Sequence, residues 1–139
     1  MSRKVINPAE LYESTAYGFS HAVASSDATL VHCAGQVAWD KDYQVVGGSD
    51  LGAQARQALA NLKTVLAEAG AGVEDIVRLR TYVVNHNPDC LGPVGAALAE
   101  FYGDVMPAAN TWIGVQALAL PDFLIEIEAT AQISKGEQQ

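Results

Sequence analysis

The stretch from Met106 to Ile133 reads Met-Pro-Ala-Ala-Asn-Thr-Trp-Ile-Gly-Val-Gln-Ala-Leu-Ala-Leu-Pro-Asp-Phe-Leu-Ile-Glu-Ile-Glu-Ala-Thr-Ala-Gln-Ile. It reads as two strands joined by a turn at Pro121-Asp122. The second strand alternates. Ile125, Ile127, Ala129, Ala131 and Ile133 point one way, and Glu126, Glu128, Thr130 and Gln132 point the other. Two carboxylates two residues apart on one strand face stand about 6.5–7 Å apart along the chain, close enough to repel. The rest of the chain is expected to build a sheet and a cleft around this pair of strands.

At 139 residues the chain is long enough for one domain with a core of its own, and half of it is apolar, which argues against disorder. A single domain over residues 1–139 is expected, with a polar tail from about 134. No uninterrupted apolar run is long enough to cross a membrane. The N-terminal Met-Ser-Arg-Lys-Val-Ile-Asn-Pro carries charges with no apolar run after them, so no secretory signal is expected. Cys33 and Cys90 are the only cysteines. Two thiols make no disulfide framework, and a cytoplasmic setting is the expectation.

The formal charge is −8, with eight Lys plus Arg. That balance argues against nucleic acid as a partner, since nucleic acid rewards a basic patch. From Thr81 to Ser134 there is no Lys or Arg at all. An anionic ligand held by this half must use neutral donors, backbone N–H groups, or cations from elsewhere in the chain or from another subunit.

Working backwards from the strand pair, Val5-Ile6-Asn7-Pro8 reads as a short strand stopped by its proline. Tyr12 to Thr15 reads as loop and Phe19 to Ala24 as a strand. Ser25-Ser26-Asp27 is a turn signal before a strand over Thr29 to Ala34, and the two strands around it are suited to a hairpin. Gly35 ends the second of them, Gln36 to Trp39 continues extended, Asp40-Lys41-Asp42 turns, and Gly47-Gly48 breaks the chain. Ser49 or Asp50 caps a helix whose stripe is Leu51, Ala55, Leu59, Leu62, Leu66 and Ala69. Gln54, Arg56, Gln57, Lys63 and Glu68 are left for its solvent side, and Gly70 and Gly72 stop it. Ile76 to Val84 alternates as a strand, and residues 85–89 form a loop. A second helix runs from about Pro93 to Tyr102, with Val94, Ala97, Leu98 and Phe101 as its stripe. The order fits an α+β fold, a mixed sheet with both helices on one face. The other face would carry Ala, Val, Trp112 and Glu side chains, apolar enough to call for burial by self-association.

Several markers recur in a characteristic order. They are Ala34-Gly35-Gln36, the helix segment Ala53 to Leu62, Glu74-Asp75-Ile76-Val77, Phe101-Tyr102, Pro107-Ala108 and Ile125-Glu126-Ile127-Glu128-Ala129. Over Val5 to Ile133 the chain resembles the Rid family (reactive intermediate deaminases, also called the YjgF family). The resemblance implies a chorismate-mutase-like homotrimer with a small-molecule cleft at each subunit interface. For the archetypal members it also implies hydrolysis of 2-enamines and 2-imines derived from amino acids, to a 2-keto acid and ammonia, with no metal or organic cofactor.

Carried over residue by residue, the resemblance is uneven. The arginine that holds the substrate carboxylate in the archetype falls at Asn110, and neither Ala108, Ala109 nor Thr111 is an arginine either. A cleft tyrosine falls at Phe19 and a cleft asparagine at Gly95. The glycine whose backbone lines the cleft is kept as Gly35, and the glutamate that positions the attacking water is kept as Glu126. A carboxylate in that role orients water and shuttles a proton to the departing nitrogen. The bland alternative is that Glu126 is a polar position on a strand face, the reading given to Glu128. Trp112 and Phe19 are either ligand-stacking walls or interface filling. His21 lies near the cleft segment as a candidate proton carrier or a structural histidine. His21, His32 and His86 have no metal spacing among themselves or with the cysteines, and a buried inert thiol is the expectation for Cys33.

Three functions follow from this reading: a Rid-like hydrolase of an imine, enamine or related reactive metabolite; a non-catalytic trimer that binds a metabolite or partner through the same cleft; and, least suited to an acidic chain, an endoribonuclease. Without the arginine, a carboxylate-bearing substrate should lose about 2–4 kcal/mol of binding, a factor of tens to hundreds. The ligand is therefore expected to be neutral or differently anchored. Coupled assays on imino acids of the 2-aminoacrylate type should show turnover lower by about that factor than in arginine-bearing relatives. Equal efficiency would contradict the reading.

Overall fold

The computed structural model describes residues 3–134. In chain order these form β1 (Arg3–Ile6), β2 (Ala22–Ser25), β3 (Ala28–Gln36), α1 (Leu51–Glu68), β4 (Ile76–Val84), α2 (Leu91–Tyr102), β5 (Ala109–Val115) and β6 (Ile125–Ser134). Short 3₁₀ turns cover Thr15–Tyr17, Val73–Asp75 and Pro88–Cys90. The expected α+β fold, two helices on one face of a mixed sheet, is what forms.

Helix α1 starts where Asp50 accepts a hydrogen bond from the Ala53 N–H at 3.1 Å, the N-cap geometry that satisfies one orphan donor of the first turn. Gly70 takes φ 81° just past its end, and the Ala71 N–H reaches back to the Leu66 carbonyl at 2.8 Å. That left-handed closure favours glycine because it has no Cβ to clash. The buried stripe is Ala55, Ala58, Leu59, Leu62 and Leu66. Helix α2 begins two residues earlier than its proline suggests, continuing a 3₁₀ turn capped by Asn87, and buries Val94, Ala97, Leu98, Phe101 and Tyr102. Both stripes press on Leu79, Val83, Ile125, Ile127, Ala129 and Ala131 of the sheet. Each large aliphatic side chain buried there contributes about 1.5–3 kcal/mol.

The strand order is β3-β6-β4-β5. β6 is antiparallel to both β3 and β4, while β5 runs parallel to β4. α2 therefore makes the crossover that a parallel pair requires. The closing strand pair is thus not a hairpin. The chain leaves β5 at the sheet edge and re-enters between β3 and β4, because only the central position buries the Ile125/Ile127/Ala129/Ala131 face under both helices. The hairpin expected around Ser25-Ser26-Asp27 is also absent. β2 pairs with β1 in a separate two-stranded sheet, and β3 pairs with β6. Arg3 ties that small sheet down by donating to the Ile76 and Met106 carbonyls, each at 2.9 Å.

Two side chains depart from the pattern reading. Gln54, assigned to the solvent side of α1, is 0 % exposed. Its amide nitrogen donates to the carbonyls of Gly48 (2.6 Å) and Asp122 (2.9 Å), and its amide oxygen accepts from the Leu124 N–H at 3.0 Å. One polar side chain thereby holds the approach to α1 against the entry to β6. Trp112 lies on the helix side of β5, in register with the fully buried Thr81, and packs against the core. The open sheet face instead carries Arg78, Arg80, Tyr82, Glu126, Glu128 and Thr130, with Leu30 and Ile113 as exposed aliphatics. That face is mixed rather than apolar, so its composition does not by itself demand burial. Residues 135–139 of the expected polar tail lie outside the described residues.

Gln54→Ala should leave three part-buried backbone groups without their side-chain partner and cost about 1–3 kcal/mol of stability in a denaturant melt, whereas Glu68→Ala on the exposed end of α1 should stay within about 0.5 kcal/mol.

Candidate functional site

The sheet edge at β5 and the segment before β2 enclose a cavity of about 950 Å³. Its walls come from Tyr12, Glu13, Ala16, Tyr17 and Phe19 on one side and from His86, Leu91, Gly95, Asn110 and Trp112 on the other. A small polar network fixes the first side. Asn7 donates to the Ser20 hydroxyl (3.2 Å), and its amide oxygen accepts from the Ser14 hydroxyl (3.3 Å) and the His21 N–H (2.8 Å). Ser20 in turn bonds the backbone entering β5, its N–H to the Ala108 carbonyl at 2.9 Å and its hydroxyl to the Pro107 carbonyl at 2.5 Å. Phe19 is thereby held beside the strand that carries Asn110.

Four residues singled out from the sequence, Phe19, Gly95, Asn110 and Trp112, meet around this cavity although they come from three separate segments, the loop before β2, α2 and β5. His21 is not on its wall. His21 packs on the ring of Tyr12 at 4.7 Å and is hydrogen-bonded through Nε2 to the Tyr12 carbonyl at 2.9 Å, so it braces a wall residue. Asn110 accepts from the Thr81 hydroxyl at 3.2 Å. The second wall is close-packed: Gly114 is the residue His86 rests on, and a Cβ there would come within 2.9 Å of the His86 Cβ. The His86 and Trp112 rings meet at 5.8 Å and 60°. Trp112 Nε1 and His86 Nδ1 are buried without a hydrogen-bond partner among the described residues.

Glu13 is the only formally charged side chain on these walls. The Thr15 hydroxyl donates to it, as do the N–H groups of Thr15 (3.1 Å) and Ala16 (3.0 Å). The Thr15 hydroxyl bond is the largest cause holding its pKa below the ordinary glutamate value, followed by the Ala16 N–H, so the carboxylate stays ionised at neutral pH. Arg78 is directed elsewhere. Its guanidinium donates to the Thr111 hydroxyl at 3.1 Å, on the sheet face opposite Asn110 and Trp112.

Gly35 and Glu126 form a second locus, on the open face between β3 and β6. β3 bulges between Cys33 and Gln36, so that Ala34 and Gly35 together oppose one residue of β6. The Glu126 side chain passes across this gap. A Cβ on Gly35 would lie 2.0 Å from Glu126 Oε2. Glu126 is half-buried and in register with Tyr82. The neighbouring Glu128 is engaged, accepting from the Tyr82 hydroxyl at 2.8 Å. Within one chain, then, the carboxylate and the cavity lie on opposite faces of the sheet. Cys33 is buried, which pushes its thiol pKa up, as suits an unreactive cysteine.

Sequence reasoning passed over Tyr12, Glu13, Tyr17 and His86. For Tyr12, Glu13 and Tyr17 the signal is the density of aromatic residues between Tyr12 and Phe19, in a segment with no periodicity to assign it a face, and His86, in the loop after β4, carries none. Among the described residues no group of His, Cys, Asp and Glu could hold a metal ion, and no helix is long and apolar enough to cross a membrane.

A family model described as Endoribonuclease L-PSP matches residues 11–133. A RutC family protein of Pyrococcus horikoshii is 33% identical over 115 residues, covering 81% of this chain and 85% of its own. A solved structure of the conserved Rid-family protein YyfB from Yersinia pestis is 57% identical, with TM-score 0.93, covering 96% of this chain and all (100%) of its own. A YjgF-family member from Mycobacterium tuberculosis is 32% identical, with TM-score 0.63, covering 95% of this chain and 100% of its own.

Gly35→Ala should force the Glu126 carboxylate aside and cost about 1–3 kcal/mol of stability. That cost should shrink in a Glu126→Ala background, with a coupling above about 0.5 kcal/mol in a double-mutant cycle. Additive effects would contradict the close contact.

Proposed function

The chain belongs to the Rid (YjgF, Endoribonuclease L-PSP) family, and from that premise we propose that it is a small-molecule hydrolase of an imine or enamine lacking the archetypal carboxylate. Its substrate sits in the cavity beside Asn110, and its working carboxylate is the Glu126 of a second copy. The observation that carries this reading is the separation of the two loci. Phe19, Gly95, Asn110 and Trp112 gather around one cavity, whereas Glu126 sits across the bulge at Gly35 on the other sheet face. A homotrimer with its clefts between subunits, as the family implies, joins the cavity of one subunit to the Glu126 of the next.

In that cleft Glu126 orients a water toward the electrophilic C=N carbon. The C–O bond forms as the C=N π electrons move to nitrogen. Glu126 takes a proton from the attacking water and returns it to nitrogen, giving the carbinolamine, and then passes the carbinolamine hydroxyl proton to nitrogen as the C=O bond forms and the C–N bond breaks. The products are a carbonyl compound and ammonia or an amine, and the oxygen comes from water. Asn110 supplies neutral hydrogen bonding where the archetype places a cation, and Phe19 supplies a ring face without a hydroxyl.

A nucleic-acid substrate fits poorly with a net charge of −8 and a cavity whose one charged wall residue is a glutamate. The non-catalytic reading keeps one supporting observation: the tyrosine and asparagine of the archetypal cleft are replaced by Phe19 and Gly95.

Glu126→Gln should lower kcat on a carboxylate-free imine by about 10²-fold or more, while Glu128→Gln should change it only a few-fold. Light scattering should give a mass above that of the single chain. Ligand-induced stabilisation with no turnover of any imine would favour the binder, and a monomeric mass would overturn the shared site.

A further inference from the structure

The walls of the cavity carry a consistent sign. Five rings contribute to it, those of Tyr12, Tyr17, Phe19, His86 and Trp112. Tyr12 and Phe19 meet edge to face at 6.3 Å and 69°, and His86 and Trp112 at 5.8 Å and 60°. Non-parallel rings turn their electron-rich faces in more than one direction, the arrangement that attracts an organic cation. The single formal charge is the Glu13 carboxylate, fixed in place by the N–H groups of Thr15 and Ala16. No Lys or Arg of the same chain lines the cavity, and its second wall is built entirely from the cation-free stretch between Thr81 and Ser134. The molecule as a whole carries a charge of −8, a field that repels anions and concentrates cations near its surface.

We propose that this cavity selects a positively charged, carboxylate-free ligand: a protonated imine or a compact alkylammonium, held between Trp112 and the Tyr12–Phe19 corner with Glu13 as its counter-charge. The proposal rests on the reading that this cavity is the substrate site, and it narrows the substrate from any imine to the cationic ones. It also accounts for the absent arginine. A guanidinium at Asn110 would repel such a ligand, so the arginine-free cavity is suited to the opposite charge. An imine protonated on nitrogen is the more electrophilic form, and a carboxylate brought by a neighbouring subunit would face a cation as well as a water.

The test uses three probes of one shape and different charge: choline, its neutral carbon isostere neohexanol, and the dimethylbutanoate anion. Each is titrated into the full-length protein by calorimetry and NMR. Choline should bind about tenfold or more tightly than neohexanol, and dimethylbutanoate should show no saturable binding. Trp112→Leu should remove the advantage of choline. Glu13→Gln should weaken choline several-fold and leave neohexanol unchanged, and Asn110→Arg should reverse the order in favour of the anion. Equal affinity for choline and neohexanol, tightest binding of the anion, or no saturable binding of choline would each overturn the proposal. The outcome is separable from catalysis. Cation-selective binding without turnover of any imine would keep the charge assignment and remove the hydrolase. Glu126-dependent turnover with no preference for cations would do the reverse.

Discussion

A strand has two faces, and β6 has to use both. It lies between β3 and β4, so its Ile125/Ile127/Ala129/Ala131 face is fixed under the helices by burial, and Glu126 and Glu128 are fixed on the other side. A slip of one residue would bury both carboxylates and expose the isoleucines. The position of Glu126 is therefore set by the same alternation that builds the core, and no local adjustment can bring it round to the helix side, where Asn110 and Trp112 line the cavity. The bulge at Gly35 then clears the space the Glu126 side chain occupies.

That constraint keeps the cavity and the Glu126 carboxylate apart within one chain. The cavity has aromatic walls, a glutamate and no cation, and its lining includes no residue of β6. The carboxylate at the bulge lies on the open face, in register with Tyr82. Joining the two through a symmetric assembly needs no new residue type, only a neighbour in the geometry that the family's oligomers imply. The charge of the cavity wall follows from a different part of the chain, the long run without Lys or Arg. Within one chain the arginine pair on β4 does not reach the cavity, because Arg78 bonds Thr111 on the opposite face and Arg80 lies there beside Tyr82 and Glu128, on the face that also carries Glu126.

Local signals in the sequence were read well where physics is local. The cap at Asp50, the stripe from Ala55 to Leu66 and the glycine stop describe α1 closely, and the alternation from Ile125 to Ile133 describes β6. What the pattern could not give was pairing. Nothing near Pro121 says that two successive strands will be separated by β4, and nothing near Ser25 says that β2 turns to β1 instead of β3, since both choices are settled by distant burial. Gln54 misleads for the same reason. Its neighbours in the helix place it at the boundary of the apolar stripe, and only the approach of the backbone at Gly48, Asp122 and Leu124 makes a buried amide the best residue there. Trp112 took the helix side because its parallel register with Thr81 sets its face. Among the cavity's lining residues, Phe19, Gly95 and Asn110 are ones the family resemblance points to, while the exposed aromatics Tyr12 and Tyr17 (63% and 66% exposed) leave no periodic trace.

In the proposed shared site the Glu126 of one subunit completes the cavity of another. A crystal structure of the assembled protein measures it directly, as the separation between the Glu126 carboxylate and the Asn110 amide of the adjacent subunit. The two should face each other across a gap that one small molecule spans, with Trp112 and Phe19 on the walls between. Glu126 facing solvent, or sealed in an interface remote from any Asn110, would contradict it.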